Sequence, residues 1–178
     1  ATQYLRALDS RFPFSPQQAW VQKMMVYALY ASDQLPQAGL EADAYLATHA
    51  FDKDADYVFY LRGLIAFEQN KSWLRSTLGY DDSSRDMSAM RLAYDQFTLL
   101  TQRFPNSVYA KDAKLRATYI RNLLAKSEWQ IARYYYEKHA FHAALNRLEN
   151  LMRYYPETIY VAKAQALKTK ISQYYHLS

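Results

Sequence analysis

One short phrase recurs three times along the chain and predicts that helices alternate with sharp corners. Each copy holds an apolar residue, a basic residue, aromatic residues and a proline, and the copies are LDSRFPFSPQQ (8–18), LTQRFPNSVYA (100–110) and LMRYYPETIYV (151–161). Proline has no N–H and disfavours helical dihedrals in the residue before it, so it ends a helix. Two residues later, Ser15, Ser107 and Thr158 each carry a side-chain oxygen able to cap the next helix. Each phrase therefore predicts the end of one helix and the start of another.

The apolar spacing before each of these prolines is also repeated. The intervals are four, three and five residues, in the sets Ala1, Leu5, Leu8 and Pro13, Ala93, Phe97, Leu100 and Pro105, and Ala144, Leu148, Leu151 and Pro156. This spacing is typical of the second helix of the tetratricopeptide repeat, a helix-turn-helix unit of about 34 residues. One unit fits residues 127–157 and a more divergent unit fits residues 17–50. A third has its first helix at YVFYLRGLIAF, where Gly63 allows close helix approach.

The repeat pattern also predicts which side chains form the core. In the unit at 17–50 the core positions are Met25, Val26, Leu29, Ala38, Ala42 and Tyr45, and in the first helix of the last unit they are Ile131, Ala132 and Tyr135. Composition agrees with helices, because half of the residues are apolar and there are only three glycines and five prolines. Disulfides and thiolate chemistry are excluded, since the chain has no cysteine. The start of the chain lacks a methionine, so a leader removed from the N-terminus is compatible with the sequence.

Two departures from the repeat period predict added structure. About eighteen extra residues precede Ala93 and predict an inserted loop at about 71–88. In this loop we expect Trp73 and Leu78 to pack onto the repeats and Arg85 to bind a nearby acid or a helix carbonyl. Residues 108–138 contain neither Gly nor Pro and predict a long continuous helix. The expected fold is an all-α, right-handed superhelix of antiparallel helix pairs, with N-terminal repeats in 1–105 and C-terminal repeats in 106–178.

Several stretches resemble the BamD family, the tetratricopeptide lipoproteins of the machine that assembles outer-membrane β-barrels in Gram-negative bacteria. The stretches are ALDSRFPFSP, DYVFYLRGL, LGYDDSSRD, FTLLTQRFPNSVYAKDA, LAKSEWQIARYYYEKHAFHAALNR and YYPET, in the family's order along nearly the whole chain. The most specific are Tyr-Val-x-Tyr-x-Arg-Gly-Leu and the insertion motif that contains Arg85 and Asp86. The resemblance implies a non-enzymatic scaffold without a cofactor, located at the periplasmic face of the outer membrane and anchored by an N-terminal lipid absent from this chain.

The resemblance also implies partners. In the family the N-terminal repeats are associated with peptide-like segments, including unfolded outer-membrane proteins and a partner lipoprotein such as BamC. The C-terminal repeats are associated with the periplasmic domains of the central barrel, BamA. Two alternatives from other classes remain open, a soluble tetratricopeptide adaptor and a basic α-repeat that binds nucleic acid. We do not expect nucleic acid as a partner, because the tyrosines of RYYYEKH suit packing within the repeat better than stacking on bases.

The repeat register predicts a peptide-binding groove that is lined by the first helices of neighbouring units. The expected lining residues are Trp20, Lys23, Tyr27, Tyr30, Tyr57, Tyr60 and Leu61. Aromatic side chains give a large contact area at little cost in rotamer freedom, and an ammonium group is suited to a peptide carboxylate. The alternative for each of these residues is ordinary packing between repeats.

Positive charge is concentrated in the second half of the chain. Residues 1–102 contain nine Lys/Arg and twelve Asp/Glu, whereas residues 103–178 contain thirteen and five. On the long helix, five cations fall within an arc of roughly 140° opposite the apolar face, and they are Lys111, Lys114, Arg121, Lys126 and Arg133. This stripe suits an acidic protein surface such as the BamA periplasmic domains, with anionic headgroups or plain solvent as alternatives.

Metal and catalytic sites are not indicated. Asp52, Asp54 and Asp56 alternate as in a calcium loop, but the required Gly and Glu positions hold other residues, so we interpret the acids as helix caps. His139 falls where the tetratricopeptide turn commonly has Gly, which favours a turn residue over a metal ligand. Arg116 lies on the apolar face of the long helix, so it either pairs with a carboxylate or extends its head to water.

Overall fold

The computed structural model of the protein describes residues 2–11, 17–69 and 87–177. These residues form eight helices and no strand, and the helices are α1 (Thr2–Arg11), α2 (Gln18–Ala31), α3 (Leu35–His49), α4 (Ala55–Gln69), α5 (Ser88–Arg103), α6 (Ala110–Glu137), α7 (Phe141–Tyr154) and α8 (Tyr160–Leu177). The predicted all-α class is therefore confirmed. The insertion residues Trp73, Leu78, Arg85 and Asp86 lie outside the described residues, as does Ser15.

The chain forms two compact units that divide within α6, between Ala117 and Thr118. In the first unit α1 packs on α2, α2 on α3, α3 on α4 and α4 on α5. The six core positions predicted for the repeat at 17–50, from Met25 to Tyr45, are all buried. This succession of antiparallel neighbours is the packing expected of tetratricopeptide units.

Close approach of α4 and α5 depends on Gly63. A Cβ built at Gly63 would lie 2.6 Å from Cε1 of Phe97, well inside van der Waals contact. Phe97 is fully buried together with Ala93 and Leu100, the other apolar members of its repeated phrase. The expectation that Gly63 permits close helix packing is therefore confirmed, and Phe97 is the ring that fills the space left free.

An ion pair joins α3 to α4 within the same unit. The buried guanidinium of Arg62 donates from Nε to Asp43 Oδ1 at 2.7 Å and from Nη2 to Asp43 Oδ2 at 2.8 Å. Gly39 makes room for this guanidinium, because a Cβ there would lie 3.4 Å from Arg62 Nη1. The arginine of the Tyr-Val-x-Tyr-x-Arg-Gly-Leu motif thus has a structural role, because it joins α4 to α3.

At two of the corners, the hydroxyl that follows the proline makes different hydrogen bonds at the start of the next helix. Before α6, the Ser107 hydroxyl accepts the N–H of Tyr109 at 3.1 Å and donates to Asp56 at 2.5 Å, so its predicted capping role is confirmed. Before α8, the buried Thr158 hydroxyl instead donates to the carbonyl of Tyr155 at 3.0 Å. The side-chain cap predicted for Thr158 is wrong, because the hydroxyl closes the turn behind it and only its backbone carbonyl accepts the N–H of Val161.

The described helices of the second unit are the later part of α6, α7 and α8. Its core consists of Ala132, Ala144, Leu148, Leu151, Ala164 and Ile171, and Tyr135 packs against it. Before α7 the chain turns at His139, whose φ of 57° lies in the left-handed region that glycine adopts most easily. Helix α6 has 28 residues, so the predicted long continuous helix is confirmed. None of the described helices combines the length and apolar character needed to cross a membrane.

Candidate binding surfaces

Four tyrosines from three helices or their flanks gather in the first unit, and we call them the tyrosine cluster: Tyr30, Tyr57, Tyr60 and Tyr109. The ring of Tyr109 stacks on that of Tyr60, with centroids 4.9 Å apart, and lies 5.4 Å from that of Tyr57. Tyr30 extends from α2 and donates its hydroxyl to Glu68 at 3.2 Å. The rings are half-buried. The cluster therefore forms an ordered aromatic wall whose members are fixed by packing and by hydrogen bonds.

Asp112, near the start of α6, holds one side of this wall in place. Its Oδ2 accepts the Tyr60 hydroxyl at 2.6 Å and Nε of Arg116 at 2.5 Å. The hydrogen bond from Tyr60, followed by those from Arg116, lowers the pKa of the Asp112 carboxyl. Asp112 therefore stays ionised, and of the two roles considered for Arg116 the structure shows pairing with a carboxylate.

Three phenols of the cluster, those of Tyr30, Tyr57 and Tyr60, have raised pKa values and are uncharged at neutral pH. Burial, followed by the neighbouring phenols of Tyr109, Tyr27 and Tyr30, raises the pKa of Tyr57 to about 12. Burial also raises the pKa of Tyr30 and of Tyr60, with the acceptors Glu68 and Asp112 adding to the effect. The wall is thus aromatic, and the hydroxyls of Tyr30 and Tyr60 already donate to carboxylates.

One face of α2 lies beside this cluster, and we call it the α2 face: Trp20, Lys23 and Tyr27. With 100° between residues, these side chains and Tyr30 fall within an arc of about 80°. Trp20 is 55% exposed and Tyr27 is 49% exposed, so both offer aromatic surface to a ligand. The Lys23 ammonium lies 3.6 Å from Asp54 Oδ2, and a peptide carboxylate would share this cation with Asp54.

Leu61 does not belong with these residues. It is only 3% exposed, because α4 is covered by α3 on one side and by α5 on the other. Its assignment to the groove is therefore corrected, and Leu61 is a core residue. Tyr109 and Asp112, in contrast, were not predicted to lie beside these residues, although a carboxylate partner was one of the two alternatives considered for Arg116.

The five cations predicted as a stripe on α6 differ in their surroundings. In the first unit Lys111 and Lys114 are exposed, and in the second unit so are Lys126 and Arg133. Arg133 pairs with the exposed carboxylate of Glu137, 3.1 Å away. Arg121 is half-buried and its guanidinium is bonded to Glu157, in the corner that follows α7. Arg121 is therefore a weaker candidate for contact with a partner than the other four.

The three acids of the calcium-like pattern have separate partners. Asp52 contacts His49 at 2.9 Å, Asp54 faces Lys23, and Asp56 accepts both its neighbour's backbone N–H at 2.8 Å and the Ser107 hydroxyl. The described part of the chain contains no group of three His, Cys, Asp or Glu residues placed to hold a metal ion. The acids organise the start of α4 and its contacts.

Comparison with known proteins gives consistent matches along the chain. The family model described as YfiO, outer membrane lipoprotein, matches residues 1–178. The chain is 37% identical over 167 residues to outer membrane protein assembly factor BamD of Neisseria meningitidis serogroup B, covering 94% of this chain and 62% of that protein. It is 32% identical over 177 residues to the assembly factor BamD of Vibrio cholerae serotype O1, covering 99% of this chain and 73% of that protein. The chain thus spans about 62% of the length of its Neisseria relative.

Proposed function

Because the chain belongs to the YfiO family of outer membrane lipoproteins, we propose that it is a non-enzymatic scaffold in the assembly of outer-membrane β-barrel proteins. Relatives that share 32% to 37% of its residues are named as outer membrane protein assembly factors. The protein would act at the periplasmic face of the outer membrane, where newly arrived substrates are unfolded. Family membership favours this role over a soluble adaptor or a nucleic-acid-binding protein.

The proposed task of the first unit is to bind segments of unfolded outer-membrane proteins. The observation that carries this proposal is the half-exposure of Trp20 and Tyr27 beside the ordered tyrosine cluster. Rigid aromatic side chains contribute large contact areas at low entropic cost, and the fixed wall behind them is preorganised. An extended segment with aromatic residues and a free carboxylate fits this surface, with Lys23 near the carboxylate.

The proposed task of the second unit is to hold partner subunits, namely the periplasmic domains of BamA and lipoproteins such as BamC. The exposed cations Lys126 and Arg133 support an acidic partner, because complementary charge guides encounter and sets orientation. Lys111 and Lys114, exposed in the first unit, carry the same type of charge on the same helix.

The proposed role is tested in cells that depend on the full-length gene. Replacing Trp20 and Tyr27 together with Ala should lower the amount of folded outer-membrane barrels, measured by their resistance to unfolding in detergent without heat. Tyr174→Ala is the matched control, because Tyr174 is 57% exposed but lies in the second unit. Normal barrel levels in the Trp20 and Tyr27 double variant, at equal protein abundance, would contradict the substrate-binding role.

A further inference from the structure

The corner between α7 and α8 presents apolar and aromatic side chains together with cations. Ile159 is 72% exposed although its neighbour Thr158 is buried, and Tyr154 is 59% exposed although its neighbour Tyr155 is buried. The guanidinium of Arg153 lies 5.5 Å from the centroid of the Tyr154 ring. We call residues 153–163 the α7–α8 corner.

A second cation of the corner is arranged in the same way. The ammonium of Lys163 lies 5.3 Å from the centroid of the Tyr160 ring. Each half of the corner therefore combines an aromatic ring with a positive charge above it. The buried Tyr155 and Thr158, together with the rigid Pro156 between them, hold these side chains at the surface.

The acidic side chains of residues 118–178 are paired with cations of the same stretch. Residues 118–178 contain nine Lys/Arg and four Asp/Glu. All four acids form ion pairs, which are Glu128–Arg147, Glu137–Arg133, Glu149–Lys168 and Glu157–Arg121. Glu157, the acid of the corner itself, is thus paired with Arg121. The charges of Arg153 and Lys163 therefore make the surface of the corner positive.

We propose that the α7–α8 corner contacts the anionic surface of a membrane. Tyrosine rings are suited to the headgroup level of a bilayer, where one part of the ring is apolar and the hydroxyl is hydrated. Arg153 and Lys163 are attracted by anionic lipids, and Ile159 reaches the acyl boundary. The chain belongs to a family of outer membrane lipoproteins, so a membrane surface is a partner available to this corner. The inference depends on neither the peptide-binding proposal nor the BamA contact.

The opposite end of the unit supplies a matched control. Lys138 lies 5.9 Å from the ring centroid of Tyr134 and Lys170 lies 5.6 Å from that of Tyr136, so this end has the same type of cation–aromatic pair. Along α6, Glu137, which precedes Lys138, is about 24 Å from Arg121, whose partner Glu157 lies in the corner. Removing two charges at either end changes the net charge equally.

The experiment measures binding to vesicles of phosphatidylcholine with and without phosphatidylglycerol. The parent should sediment with the anionic vesicles, and Arg153→Gln with Lys163→Gln should weaken that binding about thirtyfold, on the basis of about fivefold for each basic residue. Lys138→Gln with Lys170→Gln should change it much less. An equal loss of vesicle binding in the two double variants would overturn the proposal. So would binding of the parent that is the same with and without phosphatidylglycerol.

Insertion of the corner has a separate readout. The chain has no cysteine, so Ile159→Cys gives a single site for a fluorophore that reports a dry environment. We expect a blue shift and higher intensity with anionic vesicles at position 159 and no change for the same label on the exposed Gln173→Cys. A signal at 159 that does not respond to vesicles, or one that inorganic phosphate alone reproduces, would contradict membrane contact.

Discussion

Tyr60 and Asp112, separated by 52 positions in the sequence, are joined by a hydrogen bond of 2.6 Å. The bond ties α4 to the first turns of α6, and Arg116 binds the same carboxylate oxygen from the other side. The position of the Tyr60 ring thus depends on the charge of Asp112, so the stability of the first unit and the shape of its proposed binding surface are connected.

Asp112→Asn should destabilise the protein by about 1 kcal/mol at neutral pH, a value reduced for the partial exposure of the pair. The pKa of Asp112 is lowered in the folded state, so its contribution is present above the unfolded value of about 3.9 and is lost as the pH falls through the folded value. The difference between parent and variant should therefore shrink below about pH 4.

Urea unfolding across this pH range measures the effect. Glu137→Gln is the control, because both members of the Arg133–Glu137 pair are exposed and such pairs contribute about 0.5 kcal/mol or less. A deficit for Asp112→Asn that stays constant into acid would show that the charge of Asp112 is not what stabilises the contact.

Gly63→Ala should destabilise the protein by about 1–3 kcal/mol, although alanine is the better helix former. The added Cβ would lie 2.6 Å from the ring of Phe97, which is fully buried. Gly39→Ala should cost less, since its Cβ would lie 3.4 Å from Arg62 Nη1, which is close to ordinary van der Waals contact. Thermal unfolding of both variants, and of Gly63→Ala with Phe97→Leu as a rescue, measures the difference; equal stability of the two alanine variants would contradict this packing.

Lys126→Glu with Arg133→Glu should slow association with the periplasmic domains of BamA several-fold at low salt. Exposed charges act mainly on encounter, so the difference should disappear as salt rises while dissociation changes little. We choose these residues over Arg121, because Arg121 is half-buried in its pair with Glu157, whereas both members of the Arg133–Glu137 pair are exposed. Arg6→Glu with Lys53→Glu, both exposed in the first unit, is the charge-matched control. Stopped-flow rates equal to those of the parent at low salt would exclude these two residues from the interface.

The repeated phrase and its apolar spacing allowed the helix pairs and their cores to be predicted. Ala93, Phe97 and Leu100, and likewise Ala144, Leu148 and Leu151, are buried because one helical period determines which side of the helix faces its neighbour. Leu61 was misplaced because α4 is apolar on nearly every side, so periodicity cannot show which apolar side chains face the binding surface. Tyr109 and Asp112 were missed because their contacts to α4 join residues about fifty positions apart, which no local pattern reports.

Direct binding of a substrate segment to the isolated protein tests the central claim. The probe is a fluorescent peptide with the sequence of a β-barrel's last strand, ending in an aromatic residue with a free carboxylate, and the readout is fluorescence anisotropy. Trp20→Ala with Tyr27→Ala should weaken binding at least about tenfold, as expected for the loss of two exposed aromatic anchors, while Tyr174→Ala binds like the parent. Equal affinity of the double variant and the parent, with helicity unchanged, would contradict the assignment of the α2 face and the tyrosine cluster as the substrate-binding surface.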